Sequence, residues 1–235
     1  MNPSVVFPGR KWLLAGLAVA SSYFSAAAET AETAAPRPEG INDPLRPVEV
    51  KAPEAIHLAA ARTFQGIPGI VVTPKGRLFA TWYAGGDGEC RENFVVLTRS
   101  DDRGESWSEP VAVIDPPGDY VRAFDATVWI DPAGRLWWFW AQSFAYEQLA
   151  DGVCGVWAAV ADDPDAPELV WRKPVRICDG IMLNKPTVLA DGVWALPVSI
   201  WSDGQGKGVV PERLKAQVGA NMVVSTDQGE TFSRR

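Results

Sequence analysis

The chain has 235 residues, 47% of them apolar and 22% charged, and a formal net charge of −7. That acidic balance argues against nucleic acid and anionic membrane surfaces as partners. One histidine, His57, and three scattered cysteines leave no basis for a histidine-rich zinc centre or a Ser-His-Asp triad. No phosphate loop or dinucleotide fingerprint is present, so neither metal nor cofactor is expected.

In chain order, Arg10-Lys11 precede the apolar run Trp12 to Ala20, and Ala26-Ala27-Ala28 offers an A-x-A cleavage site before Glu29. Residues 1–28 therefore read as a secretory signal peptide. The apolar run is too short for a membrane span, which needs about twenty residues, and no cysteine near the cleavage site supplies a lipid anchor. A periplasmic or extracellular location follows. Cleavage would remove two basic residues and no acids, taking the charge to 20 − 29 = −9. Residues 29–55, rich in Ala, Pro and Glu, are expected to form a mobile linker.

From residue 56 the chain repeats. Gly76-Arg77-Leu78-Phe79 recurs as Gly134-Arg135-Leu136-Trp137 and again as Gly192-Val193-Trp194, with the glycines 58 residues apart twice (134 − 76 and 192 − 134). An apolar, β-branched run precedes each glycine, as strands require. Each unit reads strand, tight turn, strand, loop, strand, turn, strand, which is one four-stranded propeller blade. The expected blades span residues 64–114, 124–177 and 184–235, with the chain stopping before the last blade's fourth strand. Eleven tryptophans suit the tapered interfaces between blades.

Two turns carry nearly the same sequence. Ser100-Asp101-Asp102-Arg103-Gly104-Glu105-Ser106-Trp107 and Ser225-Thr226-Asp227-Gln228-Gly229-Glu230-Thr231-Phe232 both read S-x-D-x-G-x-[ST]-aromatic, each after an apolar run. A third copy has decayed to Ala161-Asp162-Asp163-Pro164-Asp165, with Trp171 as its aromatic. A carboxylate that accepts turn N–H groups and a glycine free to take positive φ make such a hairpin self-bracing. The motif resembles the Asp box of sialidases and related secreted bacterial propellers. The resemblance implies an all-β, sialidase-type β-propeller of which about three blades, half of a six-bladed ring, are present. The family's Tyr–Glu nucleophile pair would lie on later blades, beyond Arg235, so the chain is expected to be a fragment of a longer protein, the product of a truncated gene, or a half-propeller completed by a partner.

In sialidase-like propellers the substrate binds on the face opposite the Asp boxes. Phe64-Gln65-Gly66-Ile67-Pro68 stands where sialidases carry Arg-Ile-Pro, so Gly66 occupies the place of a carboxylate-gripping arginine; Arg62 lies near enough to substitute. The loop Tyr83 to Asn93 offers Asp87, Glu89 and Glu92 for the general acid/base role, which needs a carboxyl of raised pKa. Asp125, between apolar neighbours at the entry to blade two, is the fourth catalytic candidate. Lys185 at the entry to blade three is a candidate cation, and Gln65, Asn93, Gln142 and Asn184 are candidate sugar contacts.

The function expected is hydrolysis of a glycosidic bond in the propeller funnel. The alternatives are a non-catalytic carbohydrate- or protein-binding propeller, and an assembly factor that uses the propeller as a docking surface. Two further expectations concern local structure. Cys154 and Cys178, at neighbouring strand ends in an oxidising compartment, are expected to form a disulfide. Residues 202–219 are expected to form a mobile lid containing a short helix, with Lys207 or Arg213 supplying positive charge.

Overall fold

The computed structural model describes residues 43–118, 120–144, 154–201 and 210–235. The expected leader, residues 29–42 of the expected linker, and residues 202–209 of the expected lid lie outside the described residues. Among the described residues, twelve strands form three separate four-stranded antiparallel sheets. Blade one holds β1 (Gly69–Val72), β2 (Leu78–Ala84), β3 (Phe94–Ser100) and β4 (Ala112–Ile114). Blade two holds β5 (Val121–Ile130), β6 (Leu136–Phe144), β7 (Gly155–Ala161) and β8 (Val175–Asp179). Blade three holds β9 (Thr187–Val188), β10 (Trp194–Ile200), β11 (Gly219–Ser225) and β12 (Ser233–Arg234). The fourth strand of blade three is present, two residues long, where the sequence reading had the chain stop short of it. Among the described residues no helix is long and apolar enough to cross a membrane.

The repeated glycines close the same hairpin three times. Gly76, Gly134 and Gly192 sit at φ 92°, 86° and 85°, a region other residues enter at a cost. Each donates its N–H to the carbonyl three residues back: Thr73, Asp131 and Leu189, at 3.0, 2.9 and 2.9 Å. The two S-x-D-x-G-x-[ST] turns are equally alike. Asp102 accepts from the Ser106 N–H at 2.9 Å and the Ser100 hydroxyl at 2.7 Å; Asp227 accepts from the Thr231 N–H at 2.9 Å and the Ser225 hydroxyl at 2.8 Å. Hydrogen bonds from the Ser106 and Thr231 hydroxyls head the causes that hold each carboxyl at about 2.

Two apolar seams join the blades. The first packs Phe79, Tyr83 and Leu97 of blade one against Phe124, Trp138, Trp140 and Trp157 of blade two. Trp138 is completely buried, and its indole N–H reaches the Thr81 hydroxyl of the neighbouring blade at 2.8 Å. Burying such a ring stabilises by roughly 2–3 kcal/mol, and the hydrogen bond removes the penalty of an orphaned donor. The second seam packs Trp137, Phe139 and Val156 of blade two against Trp194, Leu196 and Val223 of blade three.

Residues 43–55 are anchored to the blades at a few points, with Pro44 and Val48 buried and most of the others exposed. Val48 is buried, and Lys51 pairs with Val113 to extend the blade-one sheet by one bridge. Ala, Pro and Glu give the segment a disordered look, but Val48 and Val50 supply enough apolar surface to hold it on the first seam. His57 follows in a short 3-10 turn. Its Nδ1 accepts the Glu54 N–H at 2.8 Å, so Nε2 carries the proton and donates to Asp115 at 3.2 Å.

The described part of the expected lid is also packed. Residues Glu212–Gln217 form a 3-10 helix, and Leu214 and Val210 bury against Ile200. Arg213 is committed to Asp179 at 2.5 Å. Among the described residues no disulfide joins Cys90, Cys154 and Cys178. The expected disulfide fails on register and face: Cys178 stands opposite Val156, and the Cys154 carbonyl accepts from the Gly180 N–H. Cys154 packs into the first seam and Cys178 into the second, on opposite faces of one sheet.

Candidate functional site

The end of β2, the loop that follows it and the start of β5 meet at the edge of the first seam. β2 delivers Tyr83, β5 delivers Arg122 and Asp125, and residues 85–93 deliver Glu89. This is the strand end opposite the S-x-D-x-G turns, because Ala84 pairs with Phe94 here while Leu78 pairs with Ser100 at the other end. Loop and strand entry therefore share one mouth, as the blade pattern requires.

The loop is held by its own backbone and one asparagine. The Asn93 side chain donates to the carbonyls of Gly85 and Gly88 at 2.8 and 2.9 Å and accepts from the Cys90 N–H at 2.9 Å. It is 1% exposed. Asn93 is therefore a brace, not a sugar contact.

Four side chains converge at the mouth. Tyr83, 2% exposed, donates its hydroxyl to Glu89 at 2.5 Å. Arg122, 1% exposed, reaches the other Glu89 oxygen at 3.1 Å. Its guanidinium lies 3.9 Å from the Phe124 ring centroid and 6.0 Å from that of Tyr83. Residues 122 and 124 alternate along one strand, which places the cation directly over the ring face. Arg122 Nε and Nη1 are buried without a hydrogen-bond partner among the described residues. Asp125 completes the group. It is 5% exposed and sits at φ 45° within a bulge between Phe124 and Thr127. A non-glycine residue in that conformation is uncommon and clusters at functional sites.

The electrostatics separate the two carboxyls. Burial pushes Asp125 up to about 6, with the Glu89 charge adding to the rise and Arg122 opposing it. Burial also pushes Glu89 up, but the Tyr83 hydrogen bond and the Arg122 guanidinium outweigh it and leave Glu89 below the usual carboxylate value. Tyr83 is held well above an ordinary phenol, by burial first and by its bond to Glu89 second. Near neutral pH the mouth therefore combines an ionised Glu89, a neutral tyrosine, a guanidinium, and an Asp125 that titrates close to the working range.

The other candidates lie elsewhere. Asp87 is exposed, 3.5 Å from the Thr63 hydroxyl, and Glu92 is exposed beside Arg91. Gln65 is exposed and bridges Ala84 through its backbone. Arg62 lies on the far face of blade one, 5.4 Å from the Trp82 ring, and donates to the His57 carbonyl; it does not take the place that Gly66 leaves. Gln142 is fully buried and donates to the Pro44 and Arg46 carbonyls, both at 2.8 Å, which makes it a tether for the N-terminal segment. Asn184 is exposed. Lys185 donates to the Ile70 carbonyl of blade one, and burial holds its pKa below the ordinary lysine value. Among the described residues no group of three or more His, Cys, Asp or Glu could hold a metal ion.

Sequence reasoning found Glu89 and Asp125 but gave no role to Tyr83 and Arg122. The available signal was strand alternation: Arg122, Phe124 and Asp125 enter one strand beside the acidic loop, and Tyr83 ends the strand that feeds it.

Neither a family model nor a curated relative matches the sequence. Solved structures do match in fold. A Hadza microbial sialidase is 19% identical at TM-score 0.55, over 73% of this chain and 37% of that one. Trypanosoma rangeli sialidase bound to 2,3-difluorosialic acid is 18% identical at TM-score 0.51, over 73% and 30%. A family 117 glycoside hydrolase from Zobellia galactanivorans is 12% identical at TM-score 0.53, over 82% and 62%. The fold is thus part of a sialidase-like β-propeller. The chain spans about a third of the two sialidase chains.

Proposed function

We propose that this chain is the N-terminal part of an exported glycoside hydrolase-like propeller, acting on a glycan at the Tyr83–Glu89–Arg122–Asp125 mouth. The observation that carries the reading is the divided pair of carboxyls: Asp125 raised to about 6 and Glu89 lowered. Two carboxyls whose environments push their pKa values apart are what acid-assisted cleavage of a glycosidic bond uses. Asp125 is the general acid and gives its proton to the leaving oxygen. Glu89 stays ionised and holds Tyr83 and Arg122 in place. Arg122, with two nitrogens free of partners, is suited to a carboxylate or an electron-rich hydroxyl of the sugar. Further support comes from the fold, which is shared with sialidases and a family 117 glycoside hydrolase. The remaining catalytic groups would come from the part of the ring this chain does not span.

The test is a panel of aryl glycosides, acidic and neutral sugars both, assayed with the complete protein and its Asp125→Asn variant. Loss of about 10²–10⁴-fold in kcat is expected for a missing general acid, largest for poor leaving groups. Equal turnover by the two proteins, or none of any glycoside by the unmodified one, rejects the reading.

A further inference from the structure

The seam between blades two and three opens outward into a cleft of about 310 Å³. Its walls carry Arg135, Arg172, Lys173 and Arg176 of blade two, and Glu230 and Phe232 of blade three. Arg135 crosses the seam and donates to the Gln228 carbonyl of blade three at 2.8 Å. The cleft is not a blade-packing face, because its two walls are the neighbouring blades themselves.

From Arg176 onward, three guanidiniums gather on one carboxylate. Asp179, at the end of β8, accepts from Arg176 at 2.7 Å and from Arg213 at 2.5 and 3.3 Å. Arg234 donates to the Asp179 carbonyl at 2.5 Å. The arginines come from three elements: β8, the 3-10 helix Glu212–Gln217 and β12. Gly155 makes the room, since a Cβ there would lie 2.5 Å from Arg176 Nε. Burial pushes the Asp179 carboxyl up, but the bonds from Arg213 and Arg176 outweigh it and hold it below the usual carboxylate value. Three cations against one anion still leave a positive centre in a chain of net charge −7. Each guanidinium carries five N–H donors. Arg234 Nη1 is buried without a hydrogen-bond partner among the described residues, and the Arg213 side chain is more than half exposed. A buried, unsatisfied donor is costly, and native structures hold few.

We propose that this cleft binds a sulfated saccharide chain, at a site separate from the Tyr83–Glu89–Arg122–Asp125 mouth. A sulfate ester seats on Arg213 and Arg234, Arg176 holds Asp179 between them, and the chain runs past Arg172 and Lys173. Guanidiniums converging from three elements suit a tetrahedral oxyanion, whereas one fork satisfies a planar carboxylate. A free oxyanion has the same chemistry, but the cations further along the wall favour an ester on a chain. The saccharide carrier rests on the glycan reading of the mouth. The acidic surface elsewhere repels a polyanion, so its affinity is local to this cleft.

Calorimetric titration of the complete protein decides it, with a sulfated dextran oligosaccharide, the unsulfated oligosaccharide and inorganic sulfate at one ionic strength. The sulfated form should bind at least tenfold tighter than either of the others. Arg213→Gln and Arg234→Gln should each weaken it about tenfold, as loss of a charged hydrogen bond allows. Arg213→Lys should recover only part, having no planar fork. Arg103→Gln, at an exposed cation on blade one, should change nothing. Thermal melts establish that each variant is folded, and the exposure of Arg213 makes its variants the tolerant ones. No binding of the sulfated form overturns the proposal, as does unchanged affinity in folded Arg213→Gln. Inorganic sulfate bound as tightly as the oligosaccharide overturns it too, since the cleft would then hold a free ion. An equal loss in Arg103→Gln does the same, by making the effect one of bulk charge. Turnover of aryl glycosides is read separately: none of it, with this binding intact, rejects the mouth reading alone.

Discussion

The ring of Tyr83 fills the space that a side chain at residue 66 would occupy. A Cβ built on Gly66 would lie 2.3 Å from Tyr83 Cζ, and the Gly66 N–H donates to the Tyr83 carbonyl at 2.8 Å. The ring cannot step aside easily, since its hydroxyl is bound to Glu89 and Phe64 packs against it. Gly66 is thus paired with Tyr83, and the cation at this mouth comes from blade two.

Gly66→Ala should therefore destabilise the chain by about 1–3 kcal/mol, the usual cost of overpacking. Gly66→Arg should cost at least as much and add no activity on acidic sugars. Coupling Gly66→Ala to Tyr83→Leu should recover most of the loss. A double-mutant cycle from urea melts measures this; strict additivity of the two changes would refute the steric pairing.

Asp125→Asn should stabilise the fold while it removes activity. The folded pKa of about 6 lies above the roughly 3.9 expected of an unfolded aspartate. The folded state therefore binds the proton more tightly, and stability falls as pH rises from about 4 to about 6. At pH 7 the ionised carboxyl costs on the order of 2–3 kcal/mol, which an uncharged asparagine avoids. The melting-temperature gain of Asp125→Asn should be largest near pH 7 and shrink below pH 4. A pH-independent gain would count against the raised pKa.

The Gln142 tether can be read by proteolysis. Gln142→Ala removes the hydrogen bonds to the Pro44 and Arg46 carbonyls. Trypsin should then cut after Lys51 faster, at conditions where the blades resist. Unchanged cleavage at that bond would mean Val48 and the Lys51–Val113 bridge suffice.

The two self-braced turns should weaken in acid. Their carboxyls are held at about 2, so the support they give is complete above pH 4 and is lost as pH falls towards 2. Asp227→Ala should abolish amide protection at Thr231, whose N–H the carboxylate accepts, and leave that of β6 unchanged. Retained protection at Thr231 would show that Asp227 is dispensable there.

The blades were legible because a propeller writes its period into the chain. The glycine of each hairpin must take positive φ, and its spacing survives where the rest has drifted. The mouth was half legible. Glu89 and Asp125 stand out as acids in a loop and a strand entry, whereas Tyr83 and Arg122 sit inside strands and read as ordinary strand residues. Asn93 and Gln142 misled for one reason: an amide at a strand end serves backbone carbonyls as readily as sugar hydroxyls, and sequence does not show which is nearer. The Cys154–Cys178 pairing failed because neighbouring strand ends do not fix register or face: Cys178 is opposite Val156, and the two cysteines pack into different seams.

Arg77 of blade one reaches forward to the Pro164 carbonyl of blade two, and Arg135 of blade two to the Gln228 carbonyl of blade three. Both described seams therefore run in one direction, and neither has a twofold axis in it. Contacts of this kind propagate in one sense until the rotation closes. Length can then change in only one unit without cost. Duplication of a whole 58-residue repeat, such as 76–133, would present each new donor to a proper acceptor. An insertion of half that length within a blade would turn a giving edge onto another giving edge, and the ring would open at that point.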